Sequence, residues 1–221
     1  MALSINYTYD VRKAFIEKYK LKCFTGNTVE LQGVSFRVTE GSIFGTPNED
    51  YIKAEIEWYE SQSLDVDDLA KIYGKRVKIW DSVANYKNCI NSNYGWCIYS
   101  NENGNQYSHA VEALWHNPNT RQSVMHYTRP AMHTEAVKNG GNDFMCTYAV
   151  QYFNNAGYLD AHVYMRSNDA VFGFNNDLAW QKHVLTKMSQ DTNLIQGVIN
   201  WNVGSMHVYD RHYGLIEDAM C

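Results

Sequence analysis

A chain of 221 residues with 45% apolar and 14% aromatic residues and three prolines can bury one sizeable core, which excludes a disordered or fibrous protein and sets the expectation of a single domain over 1–221. The formal charge of -5 excludes a general nucleic-acid binder, because gripping a phosphate backbone takes surplus Lys and Arg. One small phosphate held by a few well-placed Arg or Ser side chains stays compatible with an acidic chain.

In chain order, Asp10 precedes Val11, Phe15, Ile16 and Tyr19, an apolar stripe that predicts a first helix with Asp10 as its N-cap. TVELQGVSFRV at 28–38, β-branched and interrupted by Gly33, predicts a strand pair or one bulged strand. Pro47 marks a helix start before Tyr51, Ile52, Glu55, Ile56 and Tyr59, and further helices are expected at 107–115 and 178–188. Strands are expected at 123–128, 146–153, 158–166 and 198–209, with NNAG at 154–157 as a hairpin turn. The alternation Leu159, Ala161, Val163, Met165 assigns one strand face to the core, leaving His162, Tyr164 and Arg166 on the other and Arg166 at the strand's end. NENGN at 101–105 and KNGGND at 138–143 are the softest loops. The sum is a mixed α/β domain.

Five cysteines, at 23, 89, 97, 146 and 221, form no CxxC pair and have no His at zinc spacing, so reduced thiols and no metal centre are expected. The opening MALSINYTYDVRKAF carries Asp10, Arg12 and Lys13 where a signal peptide is apolar, and no run approaches membrane-spanning length. A cytoplasmic protein with no membrane partner is expected.

Read alone, Cys146 is a lone strand cysteine, a type that is usually a small buried hydrophobe. RSND at 166–169 gathers arginine, hydroxyl, amide and carboxylate, which suits a phosphate and a polar ring and equally a solvated turn with its own salt bridge. His207 and Tyr209, two apart on a strand, read as a satisfied pair at the edge of a core.

DFMCTYAVQYFNNAGYLDAHVYMRSNDAVFGFNNDLAWQKHVL, followed by INWNVGSMHVYDRH and preceded in order by IFG, EIEWY, KIWDSVA, INSNYGW, NPNTR and YTRP, resembles the thymidylate synthase family. Within it, the likeness to the phage deoxycytidylate hydroxymethylases is stronger than to the thymidylate synthases themselves. It covers most of the chain and is far more specific than any one short motif. The resemblance implies a thymidylate synthase-like fold, a mixed sheet flanked by helices, and a homodimer formed through that sheet in the cytoplasm of a phage-infected bacterium.

It also implies roles. Cys146 would be the thiolate that adds to carbon 6 of a pyrimidine, so that carbon 5 attacks the one-carbon unit of methylenetetrahydrofolate. Arg166 and Ser167 would hold the phosphate of dCMP, and Arg121 would reach it from the partner subunit. Gln151 and Asp169 would hold a polar network, Asp169 serving both base and folate, while His207 and Tyr209 would bond the sugar hydroxyl. Glu55 would relay protons through ordered water, although without the resemblance it reads as a surface helix glutamate. Trp80 and Tyr94 match aromatic positions lining the cavity, or are core packing.

Asp177 stands where thymidylate synthases carry asparagine. A carboxylate accepts from the exocyclic amino group that cytosine has and uracil lacks, so dCMP is the expected substrate, with CMP or dUMP as alternatives; the plain reading is a helix N-cap. Asp143, three before the nucleophile, would hold the water that yields a hydroxymethyl rather than a methyl product, or cap a turn. A catalytically inactive nucleotide-binding subunit is the alternative to an enzyme. The pattern departs at Gln122, where the family has a second arginine, at Lys20 and Lys22 where a loop arginine is usual, and after Cys221, where the segment that closes over folate would follow.

Overall fold

The computed structural model describes residues 5–135 and 143–220, so most of the KNGGND loop and Cys221 lie outside the described residues. Along the chain α1 (Thr8–Lys20) and β1 (Thr28–Arg37) are followed by α2 (Glu49–Glu60), α3 (Val66–Tyr73), α4 (Lys78–Val83), α5 (Tyr94–Tyr99) and α6 (Gln106–His116). Then come β2 (Val124–His126), α7 (Met132–Glu135), β3 (Thr147–Asn155), β4 (Tyr158–Asp169), α8 (Gly173–Thr192), β5 (Ile195–Tyr209) and α9 (Tyr213–Asp218). These elements fall into two compact units, Met1–Pro47 with Asn154–Cys221, and Asn48–Phe153.

In the first unit the strands lie in the order β1-β5-β4, β1 antiparallel and β4 parallel to β5. The parallel pair needs a crossover, and α8 supplies it, packing on β4 and β5. This is the mixed α/β pattern the sequence predicts. Val163, Met165, Phe174 and Trp201 are buried between these elements. The first helix starts earlier than expected: Tyr7 is its N-cap, and Asp10 reaches back to accept from the Tyr7 amide at 3.0 Å. Asp10 therefore caps from the third helical position rather than from the cap itself.

The sheet has a step that simple alternation misses. Buried side chains on β1 are Val29 and Leu31 before Gly33, then Val34 and Phe36 after it. On β5 they are Ile199, Trp201 and Val203, then Met206 and Val208; on β4, apart from Asp160 at the register shift near its start, Leu159 to Met165 on odd positions, then Asn168. All three strands change parity at one rung, where Gln32 and Ser167 both pair with Ser205. Two glycines permit it. Gly33 has φ +64, and a Cβ on Gly204 would lie 2.9 Å from the Arg166 carbonyl oxygen. Of the two readings of 28–38, the single bulged strand is the one that forms.

The step also corrects the expected end of β4. The strand does not stop at Arg166, because Ser167, Asn168 and Asp169 continue its ladder with Ser205, Met206 and His207. Likewise α8 begins at Gly173, so Asp177 is inside the helix and is not its N-cap. Between β3 and β4, Ala156 (φ 52) and Gly157 (φ 94) make the hairpin turn expected at NNAG, both with the positive φ such a tight turn needs.

In the second unit α2 packs against α3 and α5, and β2 pairs antiparallel with β3. Asn48 caps α2, accepting from the Tyr51 amide at 3.1 Å, with Pro47 one residue before the cap. Helices α3, α4 and α5 have eight residues or fewer, too short for a helical period to show in the sequence. Gly95 of α5 lies hard against α2: a Cβ there would come 1.8 Å from the Tyr59 carbonyl oxygen.

Candidate active site

The second unit holds Cys146, a half-buried thiol outside any disulfide on the bend before β3, flanked by Met145 and Thr147, both 0% exposed. The chain on either side of the sulfur is thus packed in place. Thr147 donates its hydroxyl to the Tyr94 hydroxyl at 3.1 Å. Tyr94 in turn is buried, stacked on Tyr59 and edge-on to Tyr127, so Tyr94 and Cys146 belong to one packed neighbourhood of this unit.

Asp143 is buried, and its carboxylate is already occupied: it accepts from the Asn91 and Ser92 amides and from the Ser92 hydroxyl, each at 2.7 Å. It clamps the INSNYGW loop to the segment leading into Cys146. Beside that loop, the Arg129 guanidinium lies 4.8 Å from the centre of the Trp96 ring. The Cys97 thiol, buried below the same loop, is pushed up to about 12 by burial, which leaves it protonated and unreactive.

Glu55 is 5% exposed, which rules out the surface-glutamate reading. Its carboxylate accepts a short hydrogen bond from the Tyr51 hydroxyl, one turn earlier on α2, and the Tyr51 oxygen accepts from the Trp80 indole N–H at 2.9 Å. The sequence marked Glu55 and Trp80 separately but took Tyr51 only as part of an apolar stripe. The i, i+4 spacing of Tyr51 and Glu55 was the available signal. Gln151, on β3, donates its amide to the Arg121 backbone carbonyl at 2.9 Å. The Arg121 guanidinium is exposed and makes no hydrogen bond or ion pair among the described residues.

In the first unit, Arg166 is exposed and Ser167 half-buried on β4. Asp169 pairs in register with His207 on β5, and it accepts from the Val171 amide at 3.0 Å, tying the strand end to the turn before α8. The His207 and Tyr209 rings meet edge to face at 4.9 Å, and the Arg211 guanidinium covers the Tyr209 ring. Burial holds the His207 imidazole below its ordinary value, against the opposing pull of Asp169 and Glu30, so the ring is neutral and can both donate and accept near pH 7. Glu30, opposite His207 on β1, is kept below the usual carboxylate range by the Ser205 hydroxyl, which donates to it at 2.5 Å.

Asp177 is half-buried one turn into α8 and accepts from the Asn168 amide at 2.8 Å. Asn168 itself is 2% exposed, and its amide oxygen accepts from the Trp201 indole at 3.2 Å. Gly173 opens the space, since a Cβ there would stand 3.2 Å from the Asn168 amide nitrogen. Trp201 was not singled out in the sequence, and Asn168 was marked only as the amide of RSND, because alternation along 159–166 would put it on the outer face.

Known proteins resemble this chain over most of its length. A family model described as thymidylate synthase matches residues 48–220. The deoxycytidylate 5-hydroxymethyltransferase of Enterobacteria phage T4 is 48% identical over 197 residues, 86% of this chain and 79% of that protein. The thymidylate synthase of Bacillus atrophaeus is 29% identical over 175 residues, 75% and 73% of the two chains. Among solved structures, the thymidylate synthase of T4 phage matches in fold with a TM-score of 0.70 at 23% identity, covering 87% of this chain and 71% of that one.

Proposed function

The chain belongs to the thymidylate synthase family, and from that premise we propose that it transfers a one-carbon unit to carbon 5 of dCMP, giving 5-hydroxymethyl-dCMP. The observation that carries the reading is Asp177: a carboxylate held by the Asn168 amide, offering acceptors to the amino edge that distinguishes cytosine from uracil.

Each residue then has a task. The Cys146 thiolate forms a bond to carbon 6, which makes carbon 5 nucleophilic, and leaves again when the product forms. Methylenetetrahydrofolate supplies the one-carbon unit when bound. The surface of α4 suits its flat rings, since this helix buries none of its residues and presents Trp80 and the 61%-exposed Ile79. Glu55, with Tyr51 and Trp80 in its chain of hydrogen bonds, moves protons to and from the base, and Tyr94 braces the segment that carries the thiol.

Arg166, Ser167 and an Arg121 donated by the partner of a homodimer hold the phosphate. Gln151 sets Arg121 through its backbone, Asp169 orients base and folate, and His207 with Tyr209 takes the sugar hydroxyl. Asp143 works by fixing the loop at Asn91 and Ser92, a positioning task beside the water-holding one expected from its sequence place. No described helix is long and apolar enough to cross a membrane, and the relatives' phage origin points to the cytoplasm of an infected bacterium.

The test is mass spectrometry of the product formed from dCMP, dUMP or CMP with methylenetetrahydrofolate. Hydroxymethylated dCMP is expected, and a methylated base would replace water with hydride in the last step. Asp177→Asn is expected to lower kcat/KM for dCMP by about 100-fold and raise it for dUMP; an unchanged preference would refute the base-reading role. Turnover by a Cys146→Ser variant at the wild-type rate would refute covalent catalysis.

A further inference from the structure

We propose that Asn168 is a specificity-determining positioning residue: held in one orientation by Trp201, it presents an N–H to Asp177 and so sets that side chain to read a cytosine amino group. The inference rests on the base-reading role given to Asp177 above and adds what enforces it.

Donor chemistry fixes the direction of each hydrogen bond. An indole nitrogen can only donate, so the atom of Asn168 that lies 3.2 Å from the Trp201 Nε1 must be the amide oxygen. The amide nitrogen is then forced toward Asp177, 2.8 Å from Oδ2. A flipped Asn168 would set its NH2 against the indole N–H and its oxygen against a carboxylate, two repulsive contacts in a site that is 2% exposed. No water can relieve them there. Gly173 leaves the amide its place, since a Cβ there would crowd the Asn168 nitrogen at 3.2 Å, and the parity step of β4 is what turns Asn168 inward at all.

A donor fixed at Oδ2 favours an acceptor at position 177 and fixes the plane of its carboxylate. The same donor decides what an amide at that position can do. Its oxygen must face Asn168, leaving its NH2 to meet a base carbonyl, which suits uracil and repels the cytosine amino group. Asn168 thereby makes residue 177 a sharp two-way selector rather than a side chain free to adapt to either base.

The test is a double-mutant cycle read as the ratio of kcat/KM for dCMP over dUMP, with dissociation constants for both nucleotides measured by calorimetry. Asn168→Leu is expected to lower the ratio roughly 10-fold to 100-fold, the range of a lost hydrogen bond to a charged group. The loss should fall on dCMP, in KM and in the dissociation constant more than in kcat. In the Asp177→Asn background the same change should weaken selection for dUMP, moving the ratio the opposite way. A purely structural role predicts equal loss for both nucleotides in both backgrounds and would overturn the proposal.

Trp201→Phe leaves Asn168 in place but frees it to flip, and is expected to lower the ratio several-fold. It carries the test if Asn168→Leu does not fold, and an unchanged ratio in folded Trp201→Phe would then overturn the proposal. The two readings fail separately. If Asp177→Asn leaves selection unchanged, base reading by Asp177 is wrong; if Asp177→Asn shifts selection and the Asn168 and Trp201 variants do not, only this inference falls.

Discussion

The two units hold their chemical groups by opposite means. In the first, Ser167, Asp169, His207 and Tyr209 sit on long paired strands, and their mutual positions follow from ladder register. In the second, Cys146, Asp143 and Tyr94 sit on a bend, an irregular segment and a six-residue helix, where no ladder fixes anything. Buried side-chain bonds and one glycine contact do that work. A regular framework tolerates the loss of one bond because neighbouring rungs share the constraint, whereas an irregular one loses its geometry with its clamp.

The sharpest way to break this contrast is at its two glycines. Gly95→Ala in the second unit meets a carbonyl at 1.8 Å that cannot move without shifting the end of α2, and is expected to cost about 3 kcal/mol or more of stability. Gly173→Ala in the first meets the amide of Asn168 at 3.2 Å and is expected to cost well under half of that. Equal midpoints in urea for the two variants would erase the distinction.

Next in size is Asp143→Ala, which strands the Asn91 and Ser92 amides. A loss of about 2–3 kcal/mol is expected, with faster hydrogen exchange confined to 90–96. Tyr51→Phe removes the donor to Glu55 and leaves the fold intact; a fall in kcat of about 10-fold with KM little changed is expected from steady-state kinetics. The smallest effect belongs to the first unit. Burial lowers the folded-state values of His162, His207 and His212 from 6.5, so below about pH 6.5 the unfolded chain takes up protons that the native one refuses. Stability is therefore full above that pH and declines as pH falls toward the lowered values. Thermal melts between about pH 7.5 and about pH 5.5 should show the decline, and hydrogen exchange should place it in the first unit.

The same contrast explains what could be read from the sequence. Leu159, Ala161, Val163 and Met165 declared their face, and the NNAG turn declared itself, because a period of two and a turn signature are local properties. Helices longer than about three turns were legible for the same reason. Asn168 was hidden because its inward direction depends on glycines in two other strands, Gly33 and Gly204. Asp143's task was hidden because its partners lie some fifty positions earlier, at Asn91 and Ser92, and nothing local announces a carboxylate that reaches across a loop. Cys146 and Asp177 became visible only through resemblance, since a single cysteine or a helix-entrance aspartate carries little weight alone.

The parity step across β1, β5 and β4 gives this sheet two reading frames. Upstream of the rung, odd positions of β4 and β5 are interior and answer to packing; downstream, even positions take that place and the odd ones turn away from the core. A single inserted or deleted residue on any of the three strands would exchange the frames, turning an outward residue into filler and a core residue into surface. Mutational drift in such a sheet can replace side chains at either frame, but it cannot change the length of these strands.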